Sequence, residues 1–467
     1  MTDDGLRTAI EKMRREGLPE EAVRSFSHAY ATLREGVGAT LPDRELQPVR
    51  DLPRASDLKI AANPDALAAA VIVKVNGGLG TSMGMAGPKC LIEARGGHSF
   101  LDILARQTLA LRRRHGVRTP LVLMNSFRTR AESLAALERY PELRGDLPLD
   151  FLQHREPRIR ADTLQPVSWP QQPELEWCPP GHGDIYPALA SSGMLGEMLE
   201  RGYRYAFISN ADNLGAVLDP RLLAWFAEQR LPFMMEVVVG TEADRKGGHI
   251  ARRSDGRLVL RETAQTPPEE ATSFRDFRRW RYYNTNNLWV DLQALADVLH
   301  SGGGVMGLPL IVNAKRVVSA DPASPEVIQL ETAMGAAIST FDGAQAICVP
   351  RTRFVPVKTT DDLLVLRSDL YELTDEAELR RSPARRGELP FVDLDRRYYA
   401  AIEDFEERFP SGAPSLVECD RLVVRGDVTF GAGVVLRGAA EISADGCCSI
   451  PDGAVVEGDA RASDTAR

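Results

Sequence analysis

Between residues 70 and 230 the sequence alternates short apolar runs with amphipathic segments, and this alternation leaves few possible folds. The runs "AVIVKV", "PLVLMN" and "YAFISN" have the length and composition of buried strands. The segments "FLDILARQTLALRRRHG", "TRAESLAALERY", "YPALASSGMLGEMLERG" and "PRLLAWFAEQR" have the pattern of helices. We therefore predict an α/β fold with a doubly wound, mostly parallel sheet.

The N-terminal 48 residues lack this alternation. The segment "PEEAVRSFSHAYATLREG" begins with proline and two glutamates and ends at Gly36, which are the start and stop signals of a helix. We expect an N-terminal helical segment over residues 1–48, followed by a main α/β domain over 49–380.

Near the C-terminus the sequence changes to a six-residue repeat. Leu422, Val428, Val434 and Ala440 recur at this spacing with glycines between them, and "SIPDGAVVEG" repeats the spacing after a break. A hexapeptide repeat with glycine turns is typical of a parallel β-helix, and a plain β-meander is the alternative. We predict a linker helix and a short β-helix over residues 381–467.

Charge and composition exclude several functional classes. The chain has 57 basic and 66 acidic residues, a net charge of −9, which argues against general nucleic-acid binding. No apolar run approaches the length of a membrane helix, and the charged start does not resemble a signal peptide. Six scattered cysteines without a CxxC pair indicate a reducing, cytoplasmic location. No nucleic-acid or membrane partner is expected.

The stretch "NGGLGTSMGMAGPK" directly follows the first predicted strand. It lacks the Gly-Lys-Ser/Thr of a Walker loop, and the spacing of its glycines does not fit a dinucleotide fingerprint. Its backbone amides could approach a phosphate or a base, and the rigid Gly-Pro places the ammonium of Lys89 next to them. An ordinary turn with a surface lysine is the alternative.

Lysine is scarce in this chain. Only seven of the 57 basic residues are lysines, so a lysine is more often than usual a position that needs a compact ammonium. This count draws attention to Lys89, Lys246 and Lys358, although chance explains part of it.

Three further segments carry candidate binding residues. His182 stands between two glycines before a predicted helix, where it could contact an anion, although a lone histidine is often structural. Asp212 follows the strand "YAFISN", where it could hold Mg²⁺ with substrate phosphates, or merely cap a turn. Asn284, Asn286 and Asn287 suit sugar hydroxyls or a turn.

No Ser-His-Asp or Cys-His arrangement suggests a nucleophile and its base. This favours a reaction whose nucleophile is already ionised.

Taken together, "NGGLGTSMGMAGPK", "MNSF", "PPGHGDIYPAL", "SNADNLGAV", "NTNNLW", "QLETAMGAAI" and "VPVKTTDDLLVLRSDLY" closely resemble the eukaryotic-type UTP–glucose-1-phosphate uridylyltransferases. The resemblance extends from about residue 50 to the end, because "GDVTFGAGVVLRG" resembles that family's C-terminal β-helix. It implies a nucleotidyltransferase-like, Rossmann-type catalytic core and a left-handed β-helix. It also implies synthesis of UDP-glucose and pyrophosphate from UTP and glucose 1-phosphate, with Mg²⁺ as cofactor.

The resemblance also implies roles for individual residues. Lys89 and Lys358 would be catalytic, and Asp212 would hold the metal. The residues expected at UTP are Asn76, Gly77, Gly78, Lys89, Gln153, Gly181, Asn210 and Ala211. Those expected at the sugar phosphate are His182, Asn210, Gly247, Gly248, Glu262, Asn284 and Asn286.

The sequence departs from the family pattern at three positions. Cys90 replaces a serine, Val75 replaces a leucine, and His249 replaces a threonine. We expect His249 to lie nearest the hexose, so the sugar range stays open. Alternatives are a UDP-sugar pyrophosphorylase that accepts galactose or pentose 1-phosphates, and a non-catalytic nucleotide-binding scaffold. The uncovered end of the β-helix suggests a homo-oligomer.

Overall fold

The computed structural model describes residues 4–36, 40–318 and 321–461. Its α-helices over these ranges are α1 (Asp4–Arg15), α2 (Glu20–Glu35), α3 (Pro64–Ala68), α4 (Phe100–His115), α5 (Arg130–Leu137), α6 (Ile185–Ser191), α7 (Met194–Glu200), α8 (Pro220–Glu228), α9 (Ala271–Phe274), α10 (Leu292–Ser301), α11 (Thr360–Arg367), α12 (Arg396–Tyr399) and α13 (Ile402–Arg408). None of the helices in these ranges is both long and apolar enough to cross a bilayer.

A ten-stranded sheet forms the centre of the described structure. Its strands are β1 (Leu46–Pro48), β2 (Ala70–Asn76), β3 (Leu121–Asn125), β4 (Asp150–Leu152), β5 (Tyr205–Asn210), β6 (Phe233–Val239), β7 (His249–Arg253), β8 (Leu258–Arg261), β9 (Tyr282–Asp291) and β10 (Gln345–Cys348). The main path runs β1-β7-β9-β5-β2-β3-β4. Strand β6 pairs with β9 and β10, and β8 pairs with β7.

The prediction of an α/β fold with a central, mostly parallel sheet is confirmed. Strands β5, β2, β3 and β4 are parallel neighbours, and the three predicted apolar runs supply β2, β3 and β5. The antiparallel strand β9, which lies between β5 and β6, was not predicted as a full strand. The polar sequence "NTNN" lies inside a continuous ten-residue strand, which has an irregular register against β6.

Glycines end two helices as their positions in the sequence predict. Gly36 follows α2 and Gly116 follows α4, both with the left-handed backbone that favours glycine. The prediction of one helix over "YPALASSGMLGEMLERG" is wrong. Gly193 has φ +78° and divides the segment into α6 and α7, because a left-handed residue interrupts the helical backbone.

Four small sheets surround the centre. Their strands are Glu93–Arg95 with His98–Ser99, Glu156–Pro157 with Trp177–Cys178, Ile159–Arg160 with Leu310–Arg316 and Glu326–Thr332, and Tyr371–Leu373 with Leu379–Arg381. Helices α1 and α2 bury Met13, Phe26 and Tyr30 against apolar side chains of these sheets. Helix α2 also packs against α6, the helix that follows His182 in the chain.

The C-terminal strands are stacked in parallel. They are β11 (Phe391–Asp393), β12 (Cys419–Arg425), β13 (Val428–Phe430), β14 (Val435–Ser443), β15 (Cys448–Ile450) and β16 (Val455–Arg461). Leu422 pairs with Ala440, and Val428 with Cys448. The predicted six-residue positions, Leu422, Val428, Val434, Ala440, Ile450 and Val456, are all buried in one core.

This packing predicts a contrast between two Val→Ala substitutions. Val434 is fully buried, and its truncation should lower the free energy of unfolding by about 2 kcal/mol through lost burial and a cavity. Val455 is 54% exposed, and the same truncation should change the free energy of unfolding by less than about 0.5 kcal/mol. Urea denaturation measures both, and equal effects would contradict this packing.

Candidate active site

The carboxyl ends of β2, β3 and β5 meet at one edge of the sheet. Asn76 pairs with Asn125 across β2 and β3, and Asn210 pairs with Val75 across β5 and β2. Ligands of parallel α/β sheets bind beyond this edge. The glycine loop (residues 76–89), the "NSF" turn after β3 and the "ADN" turn after β5 therefore leave the sheet side by side.

Asn76 connects these loops to each other. Its side-chain amide donates to Asn125 Oδ1 at 2.8 Å and to Ser133 Oγ at 2.9 Å, and its carbonyl accepts from Thr129 Oγ1 at 2.8 Å. The side chain is buried. Of the residues predicted to lie at UTP, Asn76 therefore has its amide hydrogens committed to neighbouring loops.

Gly77, Gln153 and Gly181 form one group. A Cβ added at Gly77 would lie 2.4 Å from Gln153 Oε1, and Gln153 Nε2 donates to the Gly181 carbonyl at 3.0 Å. Gly181 has φ +80°, and an added Cβ would lie 2.5 Å from the Thr332 carbonyl oxygen. Both glycines are therefore positions of close approach, where a side chain would displace its neighbours.

The glycine loop folds back on itself before Lys89. Leu79 and Pro88 form an antiparallel bridge, and the Lys89 amide donates to the Gly78 carbonyl at 3.3 Å. An added Cβ at Gly78 would meet no atom within 4 Å, so the surface of this residue is open. The turn returns Lys89 to the beginning of the loop.

The ammonium of Lys89 reaches the turn after β5. Its Nζ donates to Asp212 Oδ2 at 2.6 Å and to the carbonyl oxygen of Val357. The Val357 amide in turn donates to the Asp212 carbonyl at 3.3 Å. Segments more than a hundred residues apart thus converge on Asp212.

Asp212 fits a metal ligand. Its Oδ1 atom is buried without a hydrogen-bond partner, which is costly for a carboxylate oxygen unless a cation or another donor contacts it. Over the described ranges, no group of three or more His, Cys, Asp or Glu side chains could hold a metal. A hard cation at Asp212 would therefore take most of its ligands from substrate oxygens and water, as Mg²⁺ commonly does at phosphates.

Asn210 and Ala211 precede this carboxylate. The Ala211 amide donates to the Val75 carbonyl at 3.0 Å, which continues the pairing of β5 with β2. The half-buried side chain of Asn210 makes no hydrogen bond to any residue the structure describes. Its amide is therefore available to a ligand at the strand end.

The buried side chain of Lys74 forms hydrogen bonds on both sides of the Asp212 turn. Lys74 Nζ donates to Ser209 Oγ and to the Ala216 carbonyl, both at 2.7 Å. Burial lowers the pKa of Lys74 to about 7. The lysine connects both ends of the Asp212 turn to strand β2. It was one of the seven lysines, but its apolar strand context gave no functional signal.

His182 accepts a hydrogen bond at one ring nitrogen. The Met334 amide donates to His182 Nδ1 at 2.9 Å. Burial lowers the pKa of His182 to about 4, with Asp212 acting in the opposite direction and Lys358 in the same direction. The ring is therefore neutral near pH 7, and its remaining proton is on Nε2, which can donate to an anion.

A second pocket lies on the β7–β9 side of the site. A Cβ added at Gly248 would lie 2.4 Å from Glu262 Oε1, and the Gly248 carbonyl accepts from the Asn284 amide at 2.9 Å. Burial raises the pKa of Glu262 to about 7, and the charge of Lys358 opposes this shift. The neighbouring Gly247 donates to the Asp244 carbonyl at 2.7 Å.

Asn284 and Asn286 are bonded to each other in this pocket. Asn284 Nδ2 donates to Asn286 Oδ1, and the Asn286 amide donates to Asn284 Oδ1, both at 2.8 Å. Asn286 has φ +57°, next to the register irregularity of β9. These asparagines are not turn formers, because they lie inside a strand. Asn287 instead faces Glu236 and Asn213 in the buried interior.

Lys358 is exposed, and its backbone contacts the glycine loop. Its backbone amide donates to Asp362 Oδ2 at 2.7 Å, and its carbonyl accepts from Ser82 of the glycine loop at 3.1 Å. Its exposed side chain makes no ion pair or hydrogen bond with any described residue. Its charge lowers the pKa of both His182 and Glu262.

The side chain of His249, which we expect nearest the hexose, faces away from the other residues predicted at the sugar. Strand alternation turns its side chain away from Gly248 and Glu262 into a buried pocket, where it stacks on Trp280 with ring centroids 4.7 Å apart. Neither ring nitrogen has a hydrogen-bond partner in the described structure. Burial, with Arg261 nearby, lowers the pKa of His249 to about 3.

Sequence reasoning missed several residues that build the site. Thr332 closes against Gly181, Met334 fixes the ring of His182, Gly335 lies against Asn284, and the Val357 carbonyl holds Lys89. All four act through backbone groups or through a missing side chain. Their only signal was membership of the motifs "QLETAMGAAI" and "VPVK", which showed no chemistry of their own.

Comparison with known proteins identifies the family. The family model described as UTP–glucose-1-phosphate uridylyltransferase matches residues 24–437. The chain belongs to this family. It is 41% identical over 390 residues to the UTP–glucose-1-phosphate uridylyltransferase of Solanum tuberosum, a match that covers 83% of this chain and 80% of that protein. The corresponding protein of Saccharomyces cerevisiae is 40% identical over 398 residues, covering 85% and 78%.

Solved structures agree with this family. A mutant UDP-glucose pyrophosphorylase of Leishmania major in complex with UDP-glucose is 42% identical, with a TM-score of 0.94 over 99% of this chain and 100% of that one. The UDP-glucose phosphorylase of Trypanosoma brucei is also 42% identical, with a TM-score of 0.93 over 99% and 100%. The family resemblance predicted from the motifs is confirmed.

The position of His249 predicts a pH effect on stability. Its pKa is about 3 in the fold and about 6.5 in an unfolded chain, so below pH 6.5 only the unfolded state takes up this proton. The free energy of unfolding should therefore decrease as the pH is lowered from about 6.5 to 3. Between pH 7 and pH 5, the free energy of unfolding of the His249→Phe variant should decrease by about 2 kcal/mol less than that of wild type.

Denaturant titrations at pH 7 and pH 5 test this effect. Phenylalanine keeps the stacking on Trp280 but cannot titrate. The matched control is His115→Gln at the exposed end of α4, which should keep the wild-type pH dependence. An unchanged pH dependence in His249→Phe would contradict the assignment.

Proposed function

We propose that this chain makes UDP-glucose and pyrophosphate from UTP and glucose 1-phosphate, as the names of its relatives indicate. The observation that carries the proposal is the partly buried Asp212 carboxylate, with one oxygen on Lys89 and the other unpartnered, at the carboxyl end of β5. This arrangement suits a polyphosphate that enters with a divalent cation.

The proposed chemistry is an in-line displacement at the α-phosphorus of UTP. A phosphate oxygen of glucose 1-phosphate forms the new bond to this phosphorus. The bond between the α-phosphorus and its bridging oxygen to the β-phosphate breaks, and pyrophosphate leaves. The attacking oxygen is already ionised at neutral pH, so no side chain has to remove a proton. Catalysis then consists of positioning and of stabilising negative charge.

The proposed charge stabilisers are Lys89, Lys358 and a divalent cation, for which Mg²⁺ is our choice. Asp212 would hold this cation, which supplies positive charge at the phosphate oxygens when bound. Lys89 is tied to the glycine loop, and the side chain of Lys358 is free to reach a phosphate. Lys89 contacts the carbonyl of Val357, the residue before Lys358, which supports a shared role of the two ammonium groups at the phosphates.

The proposed nucleotide site extends over the glycine loop. Gly77, Gly78 and Ala211 would approach UTP with their backbones, and Gln153 would face the base beside Gly181. Asn210, with its unbonded amide, would contact nucleotide or sugar. Asn76 would act mainly through its loop contacts, because its amide hydrogens are already used.

The proposed sugar-phosphate site combines a neutral donor with a polar pocket. His182 would donate from Nε2 to the phosphate of the sugar, because its Nδ1 is occupied by Met334. Glu262, Asn284 and Asn286 would bind hexose hydroxyls. Gly247 and Gly248 would line the same pocket, and the missing side chain of Gly248 leaves room for the Glu262 carboxylate. Carboxyl and amide groups can each accept or donate as the hydroxyls require.

The alternatives are not favoured. The family and its solved members are named for glucose, and the intact Lys89, Asp212 and Lys358 oppose a non-catalytic scaffold. Because His249 faces away from Glu262, its departure from the family pattern gives no reason to widen the sugar range. Comparing kcat/KM for glucose and galactose 1-phosphates tests this choice, and equal values would support the wider range.

The remaining sequence-based assignments also stay proposals. We keep the division into 1–48, 49–380 and 381–467, a left-handed β-helix, a homo-oligomer formed through its end, and a cytoplasmic location. Parallel partners 18 to 20 positions apart and the buried six-residue repeat support the β-helix. Gel filtration of a chain ending near residue 414 tests the oligomer, and an unchanged size would contradict it.

The proposed mechanism predicts the effect of removing one ammonium. Lys358→Ala should lower kcat by about 10²-fold or more, because one fixed charge stabiliser of the transition state is lost. The exposed Lys59→Ala is the matched control and should retain wild-type turnover. Pyrophosphate release measures both. Near-wild-type turnover by Lys358→Ala would remove Lys358 from the mechanism.

A further inference from the structure

The Asp212 carboxylate contacts one ammonium through one of its oxygens and leaves the other oxygen without a partner. Lys89 Nζ contacts Asp212 Oδ2 at 2.6 Å, in a pair whose side chains are only 15% and 22% exposed. The same ammonium is held by the carbonyl of Val357. The other oxygen, Asp212 Oδ1, is buried and has no partner among the described side chains and backbone.

The pair affects what Asp212 can bind. While Lys89 neutralises the carboxylate, a divalent cation that arrives alone gains little from it and is repelled by the adjacent ammonium. No further carboxylate, histidine or cysteine completes a metal site in the described ranges. A metal ion without phosphate ligands would therefore find one compensated carboxylate and water.

A triphosphate changes this balance. Its phosphate oxygens can accept hydrogen bonds from the ammonium of Lys89. Other phosphate oxygens can at the same time coordinate the metal ion, for which the protein supplies few ligands. Lys89 lies at the end of the glycine loop, so it can exchange a carboxylate for a phosphate without leaving the site. The two cations would then each gain an anionic partner in a single step.

We propose that Lys89 is an internal counter-ion that prevents Asp212 from binding a divalent cation until a nucleotide triphosphate takes over the ammonium. The metal then enters with the nucleotide, and not before it. This inference rests on the proposed function of the site, and it gives Lys89 a second role besides charge stabilisation during transfer.

The test measures Mn²⁺ binding in the absence of nucleotide. Electron paramagnetic resonance reports the concentration of free Mn²⁺. Without nucleotide, wild type should show only weak Mn²⁺ binding that does not depend on Asp212. Lys89→Met should bind Mn²⁺ about 10-fold tighter or more, because the competing charge at Asp212 is gone. Adding Asp212→Asn to Lys89→Met should abolish the gain. An affinity in Lys89→Met equal to or weaker than that of wild type would overturn the proposal.

Two controls make the result specific. Lys358→Met removes an ammonium from the same site but leaves the Lys89–Asp212 pair intact, so its Mn²⁺ affinity should equal that of wild type. The Lys89→Arg variant retains a positive charge beside Asp212, so its nucleotide-free Mn²⁺ binding should stay as weak as that of wild type. If Lys358→Met also tightens Mn²⁺ binding, the effect is one of overall charge, and the pairing proposal fails.

A second measurement serves if Lys89→Met does not fold. Asp212→Asn alone should leave the weak nucleotide-free Mn²⁺ binding unchanged, but should weaken Mn²⁺ binding in the presence of UTP. Loss of nucleotide-free binding in Asp212→Asn would overturn the proposal. Pyrophosphate release by wild type tests the proposed function separately, so the two failures are distinguishable.

Discussion

The ion pair between Lys89 and Asp212 connects the parts of this structure that matter for function. Asp212 follows the buried strand β5, Lys89 ends the glycine loop that follows β2, and Val357 brings the segment of Lys358 to the same ammonium. The parallel order of β5 and β2 places both loops at one edge, and the Lys74 ammonium behind them fixes the turn. Charge is thereby concentrated where a polyphosphate can be bound.

In the proposed function, the surroundings of this pair have two separate tasks. On one side, Gly77 and Gly181 permit close approach around Gln153, which suits a flat base. On the other side, Glu262 and the bonded pair Asn284 and Asn286 form a polar pocket that suits a sugar. Neutral His182 accepts from the Met334 amide at Nδ1, so it can donate only from Nε2. None of these groups needs to transfer a proton for the proposed reaction, which agrees with the absence of a nucleophile–base pair in the sequence.

The sequence predicted the parts of the fold that depend on local pattern. Apolar runs identified β2, β3 and β5, glycines identified the ends of α2 and α4, and the six-residue repeat identified a buried C-terminal core. It did not predict the strand β9, because paired asparagines have the composition of a turn and only pairing with β6 makes them a strand. The sequence also could not predict which way His249 faces, because a shift of one residue in strand register moves a side chain to the opposite face of the sheet. Backbone partners such as Met334 and Val357 lack a side-chain signal.

The central claim is that fixed cations, and not a proton-shuttling side chain, drive the exchange at one phosphorus atom. The most direct test is a crystal structure with UTP and Mg²⁺ bound. We expect the nucleotide against Gly77, with Asp212 on the metal and the ammonium of Lys89 transferred to a phosphate oxygen. A nucleotide bound away from Gly77, or one bound while Lys89 still contacts Asp212 and no phosphate, would contradict the account.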